Sequence, residues 1–216
     1  MIGKTKLYNA DQCDKIVKYL RNVSTWQEGI SQGKKYGERV KRNLELYAEE
    51  LSTKIANVVI AHPNFSSRVI PNHIALHRFN WCKDGGYYGF HADSAFMGKE
   101  PEIRTDFAMT LFLTDDYEGG ELTLYYPSGE IRTIKEPKGT LVFYPSQVMH
   151  EVTPVTKGDR MCWIAWAQSH IKDATERNIL VDITRLCKDM EQSSDLSKEY
   201  RRLVGIKHNL FRKYMP

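Results

Sequence analysis

The residues best suited to chemistry begin with Tyr88-Gly89-Phe90-His91-Ala92-Asp93. An imidazole and a carboxylate two positions apart on an extended strand point to one face, so both can reach a single ion. Alone, an H-x-D tripeptide is weak, because it recurs by chance and a lone histidine is more often hydrogen-bonded than ligating. The pattern sharpens from Gly139 to His150, where a glycine turn and an apolar strand lead through Pro145 to a histidine. With His91 and Asp93, His150 would complete two imidazoles and one carboxylate, a face that suits Fe(II) and leaves positions open; zinc prefers a tetrahedral set. Asp93 and His150 are 150 − 93 = 57 residues apart, enough chain for several strands to fold back. Arg160 follows 160 − 150 = 10 residues later, past the turn-like Lys157-Gly158-Asp159, at the start of the next apolar run. Its guanidinium can grip the far carboxylate of a dicarboxylate such as 2-oxoglutarate. Each hydrogen bond to a charged group is worth about 1.5–3 kcal/mol. The competing reading of Arg160 is a surface pair with Asp159, worth little. All four residues in this order are much harder to attribute to accident.

These side chains need a frame. Cys13, Ile16, Val17 and Leu20 recur at helical spacing, with Asn9 placed as an N-cap. From Val40, the series Leu44, Tyr47, Leu51, Ile55 and Val58 predicts a second helix, ended by His62-Pro63-Asn64. The texture then changes to short β-rich runs: Ile74 to Phe79, Phe107 to Leu113, Glu121 to Tyr126, Thr140 to Tyr144 and Arg160 to Gln168. Lys83-Asp84-Gly85-Gly86, Asp115 to Gly120 and Pro127-Ser128-Gly129 supply turns between them. Many short strands in so little chain suggest a sandwich or jelly roll rather than a parallel sheet. After Asp173 the helical period returns in Ile179, Ile183, Leu186 and Met190, and again in a basic segment toward the end. The expected division is a helical region over 1–72, a β core over 73–171 and a helical extension over 172–216, an α+β plan. Arg160, Cys162, Ile164 and Trp166 fall on one face of their strand and Trp163 on the other, with core packing expected for both tryptophans.

The 216 residues suffice for one domain with helical additions, and 27% charged against 41% hydrophobic residues is ordinary for a globular protein. No run approaches the roughly 20 apolar residues of a membrane helix, and the first residues lack the apolar stretch of a secretory signal, so a cytoplasmic protein with no membrane partner is expected. Cys13, Cys82, Cys162 and Cys187 are scattered, without a C-x-x-C pair, and are read as reduced thiols. The formal charge is +4, with Lys198, Arg201, Arg202, Lys207, Arg212 and Lys213 crowded near the end. Tyr200, Leu203, Ile206, Leu210 and Phe211 interleave at helical spacing, which favours a solvated helix face over a nucleic-acid footprint.

With these residues in hand, the chain resembles the PKHD-type (prolyl/lysyl-hydroxylase-domain) members of the Fe(II)/2-oxoglutarate dioxygenases, the PiuC-like group within the prolyl 4-hydroxylase-like superfamily. In the core the likeness rests on Tyr88-Gly89-Phe90-His91-x-Asp93, Arg104-Thr105-Asp106 through Leu113, Tyr117-x-Gly119-Gly120-Glu121-Leu122, and Leu141 through His150-x-Val152-Thr153-Pro154 to Arg160. In the flanks it includes Trp26-x-x-Gly29, Val40-Lys41-Arg42-Asn43, Gln168-Ser169 and Leu203-Val204-Gly205-Ile206-x-His208-Asn209-Leu210. The resemblance implies a double-stranded β-helix (jelly-roll) core, iron at His91, Asp93 and His150, and 2-oxoglutarate at Arg160. It also implies O₂ as co-substrate, ascorbate as a reductant that keeps iron ferrous, and a prolyl or lysyl residue of a peptide or protein as substrate. Such an enzyme converts 2-oxoglutarate to succinate while hydroxylating an unactivated C–H bond. Halogenating relatives lack the carboxylate ligand, so Asp93 favours hydroxylation.

One departure stands out. The group carries an Arg-Tyr pair before its glycine-rich turn, where this chain has Arg78-Phe79, so weaker co-substrate binding or compensation by Tyr88 is expected. His73, His77 and His170 are read as non-ligands, His62 as a helix end and His208 as part of the C-terminal motif. Against the hydroxylase stand three alternatives. A nucleic-acid oxidative demethylase would carry a second arginine six residues past Arg160, where this chain has Trp166. The others are a non-catalytic metal-binding jelly roll and a docking module whose helical ends do the work.

Overall fold

The protein is seen as a computed structural model that describes residues 2–29, 40–83, 85–98, 102–194 and 197–215. Of the anticipated turn residues, Asp84 lies outside this set, though Gly86 N–H donates to Lys83 O across the turn at 2.8 Å.

Two antiparallel sheets face each other. The larger runs in the order Gly3–Lys6, Thr140–Pro145, Phe107–Phe112, Arg160–Ser169, Pro71–Cys82, Leu44–Leu46, Gln27–Glu28. The smaller runs Ile131–Ile134, Leu122–Tyr125, Met149–Val152, Tyr87–His91, Lys41–Arg42. Central strands of the larger sheet are covered on both faces, which is why Phe107–Phe112 is apolar almost throughout and buried at every position. One face packs on helices through Phe79, Met109, Leu111, Phe143 and Trp163, against Leu20, Ile55, Val59 and Phe65. The other faces the smaller sheet, joining Ala108, Phe112, Val142, Cys162 and Trp166 to Leu122 and Leu124. This is the jelly-roll arrangement that the short strands suggested.

The helices follow from local signals, with two corrections. Ala10–Arg21 starts at Asn9, whose side chain accepts from Gln12 N–H while Gln12 Oε1 accepts from Asn9 N–H, both at 2.9 Å, a reciprocal cap. The second helix begins at Glu49 rather than near Val40 and runs to Ala61. The stretch before it forms two strands instead: Lys41–Arg42 pairs with Tyr88 and Tyr87, and Leu44–Leu46 with Trp81, Asn80 and Phe79. Apolar residues there fit either period, and the waiting sheet edges decide between them. At His62-Pro63 one helix ends and another begins, because His62 caps Pro63–Val69 through Asn64 N–H and Pro63 needs no amide partner in a first turn.

The second correction concerns Ala174–Gln192, capped by Asp173. Its buried stripe is Arg177, Leu180, Val181 and Cys187, while Ile179 and Leu186 of the anticipated face are 45% and 49% exposed. Lys198–Tyr214 packs beside it with Lys198, Arg201, Arg202, Arg212 and Lys213 in solvent, the solvated face foreseen for that segment. Arg104 and Asp106 form a two-bond ion pair at 2.7 and 2.8 Å, and the carboxylate also accepts from Ser169 N–H. That clasp ties the ends of neighbouring strands and explains those motif residues structurally.

Candidate active site

His91 closes the strand Tyr87–His91 and stands directly opposite His150 of Met149–Val152 in antiparallel register. Residues so paired bring their side chains within reach of one another, and the two rings lie 4.2 Å apart between centroids. His150 reaches this place because the chain leaves the larger sheet at Pro145, turns with Val148 N–H on Pro145 O, and enters the smaller one. Asp93 lies just past the strand end, so the expectation of a shared strand holds for His91 alone. Its two oxygens nevertheless stand 3.9 Å from His91 Nε2 and 3.9 Å from His150 Nε2. Ligand atoms of all three lie within 4.8 Å of one another, and among the described residues no other group of histidines, cysteines and carboxylates does this, so His73, His77 and His170 stay outside.

Each imidazole is aimed. His91 Nδ1 donates to Gly89 O at 2.8 Å and His150 Nδ1 to Val148 O at 2.9 Å, leaving both Nε2 atoms unprotonated and facing the carboxylate when the rings are neutral. Tyr88 stacks on His91 at 3.7 Å and Tyr144 meets His150 edge-on. Burial, with His150 next, pushes His91 down to about 4, so its ring is neutral in the ordinary range. Burial raises Asp93, offset by His150, by the Trp166 N–H close by but outside hydrogen-bond geometry, and by Arg78. His91 Nε2 and Asp93 Oδ2 are buried without a hydrogen-bond partner. Buried polar atoms so left are costly and rare, and a cation between them would satisfy both.

The same cavity is lined by Arg160, which is 2% exposed and whose Nε has no partner. Gly158, at φ +76, makes the turn before it; a Cβ there would sit 2.6 Å from Asp116 O. The guanidinium lies 5.5 Å from the Phe112 ring, with the Tyr117 hydroxyl, also unpartnered, close by. It does not pair with Asp159, whose carboxylate instead meets Arg21 at 3.2 Å. Cys82 faces this region as a free thiol, pushed up to about 11 chiefly by burial. A buried guanidinium with an unpartnered Nε beside an unpartnered hydroxyl has the chemistry to take a carboxylate.

A family model for the 2OG-Fe(II) oxygenase superfamily matches residues 74–168. A PKHD-type hydroxylase of Teredinibacter turnerae is 37% identical over 200 residues, covering 88% of both chains. One from Stenotrophomonas maltophilia is 32% identical over 212 residues, covering 93% of this chain and 94% of its own. The chain belongs to the 2OG-Fe(II) oxygenase superfamily. Within it, the protein is a PKHD-type 2-oxoglutarate-dependent iron dioxygenase, with Fe(II) as metal and 2-oxoglutarate and O₂ as co-substrates. Its fold is shared with a Pseudomonas putida prolyl-4-hydroxylase, at TM-score 0.57 and 16% identity over 78% of this chain and 92% of that one. A Trichoplax adhaerens prolyl hydroxylase, solved with a hypoxia-inducible-factor peptide fragment, gives TM-score 0.58 at 14% identity over 77% and 82%.

For this oxygenase the residues present fit the groups the family uses: two imidazoles and a carboxylate that converge, with His91 Nε2 and Asp93 Oδ2 orphaned, could take a ferrous ion, and a buried guanidinium with an orphaned Nε could take a dicarboxylate. Phe79 is fully buried on the helix side, while Arg78, Asn80 and Cys82 of the same strand line the cavity. Tyr88 does line the cavity, but against His91; the tyrosine beside Arg160 is Tyr117. Trp163 is core, as anticipated, whereas Trp166 also forms a cavity wall. Arg78, Trp166 and Tyr117 were missed as site residues. The alternation of Arg78 with Asn80 and Cys82 is the signal that could have found the first.

Proposed function

We propose that His91, Asp93 and His150 hold the ferrous ion and that Arg160 anchors 2-oxoglutarate, in a hydroxylase acting on a prolyl or lysyl residue. The observation that carries this reading is one buried cavity in which three donors converge and which Arg160 lines with an unpartnered Nε. When bound, iron would let O₂ oxidise both partners, one oxygen atom ending in succinate as 2-oxoglutarate loses CO₂ and the other in a C–H bond of the substrate. The protein's part is placement. Gly89 O and Val148 O fix the imidazole orientations, Asp93 supplies negative charge to the metal, and Arg160 with Tyr117 sets the depth and direction of the co-substrate. Phe112, Leu122, Val152 and Ile164 keep bulk water out. A demethylase reading gains nothing from the cavity, because Trp166 occupies the position where a second arginine would be needed.

Succinate formation from 2-oxoglutarate by the purified protein tests the reading. Slow, Fe(II)-dependent turnover is expected without added substrate, and His91→Ala should abolish it, because a two-donor site no longer holds the metal. Unchanged turnover in that variant would remove the assignment.

A further inference from the structure

Two arginines line the cavity, and the co-substrate accounts for one. Arg160 stands opposite Cys82 on the neighbouring strand, whereas Arg78 stands opposite Ile164, four residues further along both. At about 3.3 Å per residue those positions are roughly 13 Å apart along the strands, so the cavity has a cation toward each end.

Arg78 lies near two aromatic rings, and its Nε has no hydrogen-bond partner. Its guanidinium lies 5.0 Å from the Trp166 ring and 6.0 Å from the Tyr47 ring, with Tyr47 Oη 3.3 Å from Nη1. The only carboxylate within ion-pair range among the described residues is Glu45, 3.4 Å from Nε and outside hydrogen-bond geometry. That same oxygen, Glu45 Oε1, already accepts Lys41 Nζ at 2.8 Å. Two cations thus share one anion, in side chains only 5%, 10% and 16% exposed for Lys41, Glu45 and Arg78. Asp93 is the other anion that Arg78 feels, so once Asp93 serves a metal the Lys41, Glu45 and Arg78 group is left with a net positive charge beside the substrate space. Burying such an imbalance is unfavourable unless something completes it, and a planar guanidinium braced by aromatic rings matches a carboxylate best.

We propose that Arg78 receives a carboxylate of the prime substrate, so that the residue hydroxylated bears a free α-carboxylate: a free amino acid or the C-terminal residue of a peptide. The inference rests on Arg160 being taken by 2-oxoglutarate. An internal residue of a chain offers a neutral amide at that place and loses the charge-assisted hydrogen bonds.

The test uses the full-length protein with Fe(II) and 2-oxoglutarate, and the common L-amino acids each supplied as free acid, N-acetyl acid and N-acetyl carboxamide. Succinate formed above the substrate-free level and a product heavier by one oxygen atom are the activity readouts; ligand-observed NMR without O₂ reads binding. At least one acid is expected to exceed its carboxamide in kcat/KM by about tenfold or more. Preference among free acids points to an amino acid, and preference among N-acetyl acids to a peptide C-terminus. Arg78→Lys should keep part of the acid preference and Arg78→Gln should bring the ratio near one. If Arg78→Gln fails to fold by circular dichroism, the wild-type ratio and the Arg78→Lys ratio decide. No acid preferred over its carboxamide, an unchanged ratio in Arg78→Gln, or an equal loss on acid and carboxamide would each overturn the proposal; the last would make Arg78 a support for Asp93. Absence of any succinate would strike the iron and co-substrate assignments instead, so the two failures are distinct.

Discussion

The strand Arg160–Ser169 shows two different surfaces on its two sides. Toward the helices it presents Met161, Trp163 and Ala165 to an apolar layer that includes Phe79 and Phe143. Toward the smaller sheet it presents Arg160, Cys162, Ile164 and Trp166, in a layer that contains charged and unpartnered groups. One residue of offset separates a side that holds the protein together from a side that does its work. Stability and function are thereby written in alternate positions of the same segment, and substitutions at adjacent residues should fail in different ways.

The largest separation is expected between Trp163 and His91. Trp163→Ala should destabilise the protein by about 3–5 kcal/mol, read by denaturant unfolding, because a fully buried indole leaves a cavity the layer cannot close. His91→Ala should shift stability by no more than about 1 kcal/mol, since it also removes a buried polar atom that had no partner. Equal losses would dissolve the distinction between the two sides. Next comes Arg160→Ala, for which the 2-oxoglutarate concentration giving half-maximal succinate formation should rise about tenfold or more. An unchanged requirement would move the co-substrate elsewhere.

Phe79→Tyr sharpens the same contrast at a smaller scale. Restoring the tyrosine found in related enzymes should bury a hydroxyl among helix-side apolar groups, costing roughly 1–3 kcal/mol, without reducing the 2-oxoglutarate required. Tighter co-substrate binding in this variant would show that position 79 faces the cavity after all. The smallest effect belongs to Asn9→Ala, which removes the reciprocal cap at the far side of the helical layer. A loss of about 1 kcal/mol in unfolding, with succinate formation unaffected, is expected.

How much of this was legible in the sequence depended on whether the cause was local. That His91, Asp93, His150 and Arg160 come together was legible because chemistry, turn glycines and strand patterns coincide around them. The Asn9 cap and the Asp173 helix start were readable because capping is settled within a few residues. The helix expected from Val40 failed because Lys41–Arg42 and Leu44–Leu46 take their conformation from partners more than thirty residues away, Tyr87, Tyr88, Phe79 and Trp81. The face of Ala174–Gln192 was misjudged because a buried Arg177, donating to Ile171 O and lying over Phe107, does not register as apolar. Strand alternation puts Arg78 with Asn80 and Cys82, and Trp166 with Arg160, but that these faces line a cavity depends on which sheet lies opposite, which the spacing alone does not record.

The direct pairing of His91 with His150 also bears on how the molecule assembles. The two imidazoles stand 150 − 91 = 59 positions apart and meet only after the chain between them has found its strands, so no early or local intermediate can present both. On the proposed ligand set, metal capture is tied to late, long-range closure of the smaller sheet. A divalent ion added during refolding would act as a clock that starts only when the topology is complete.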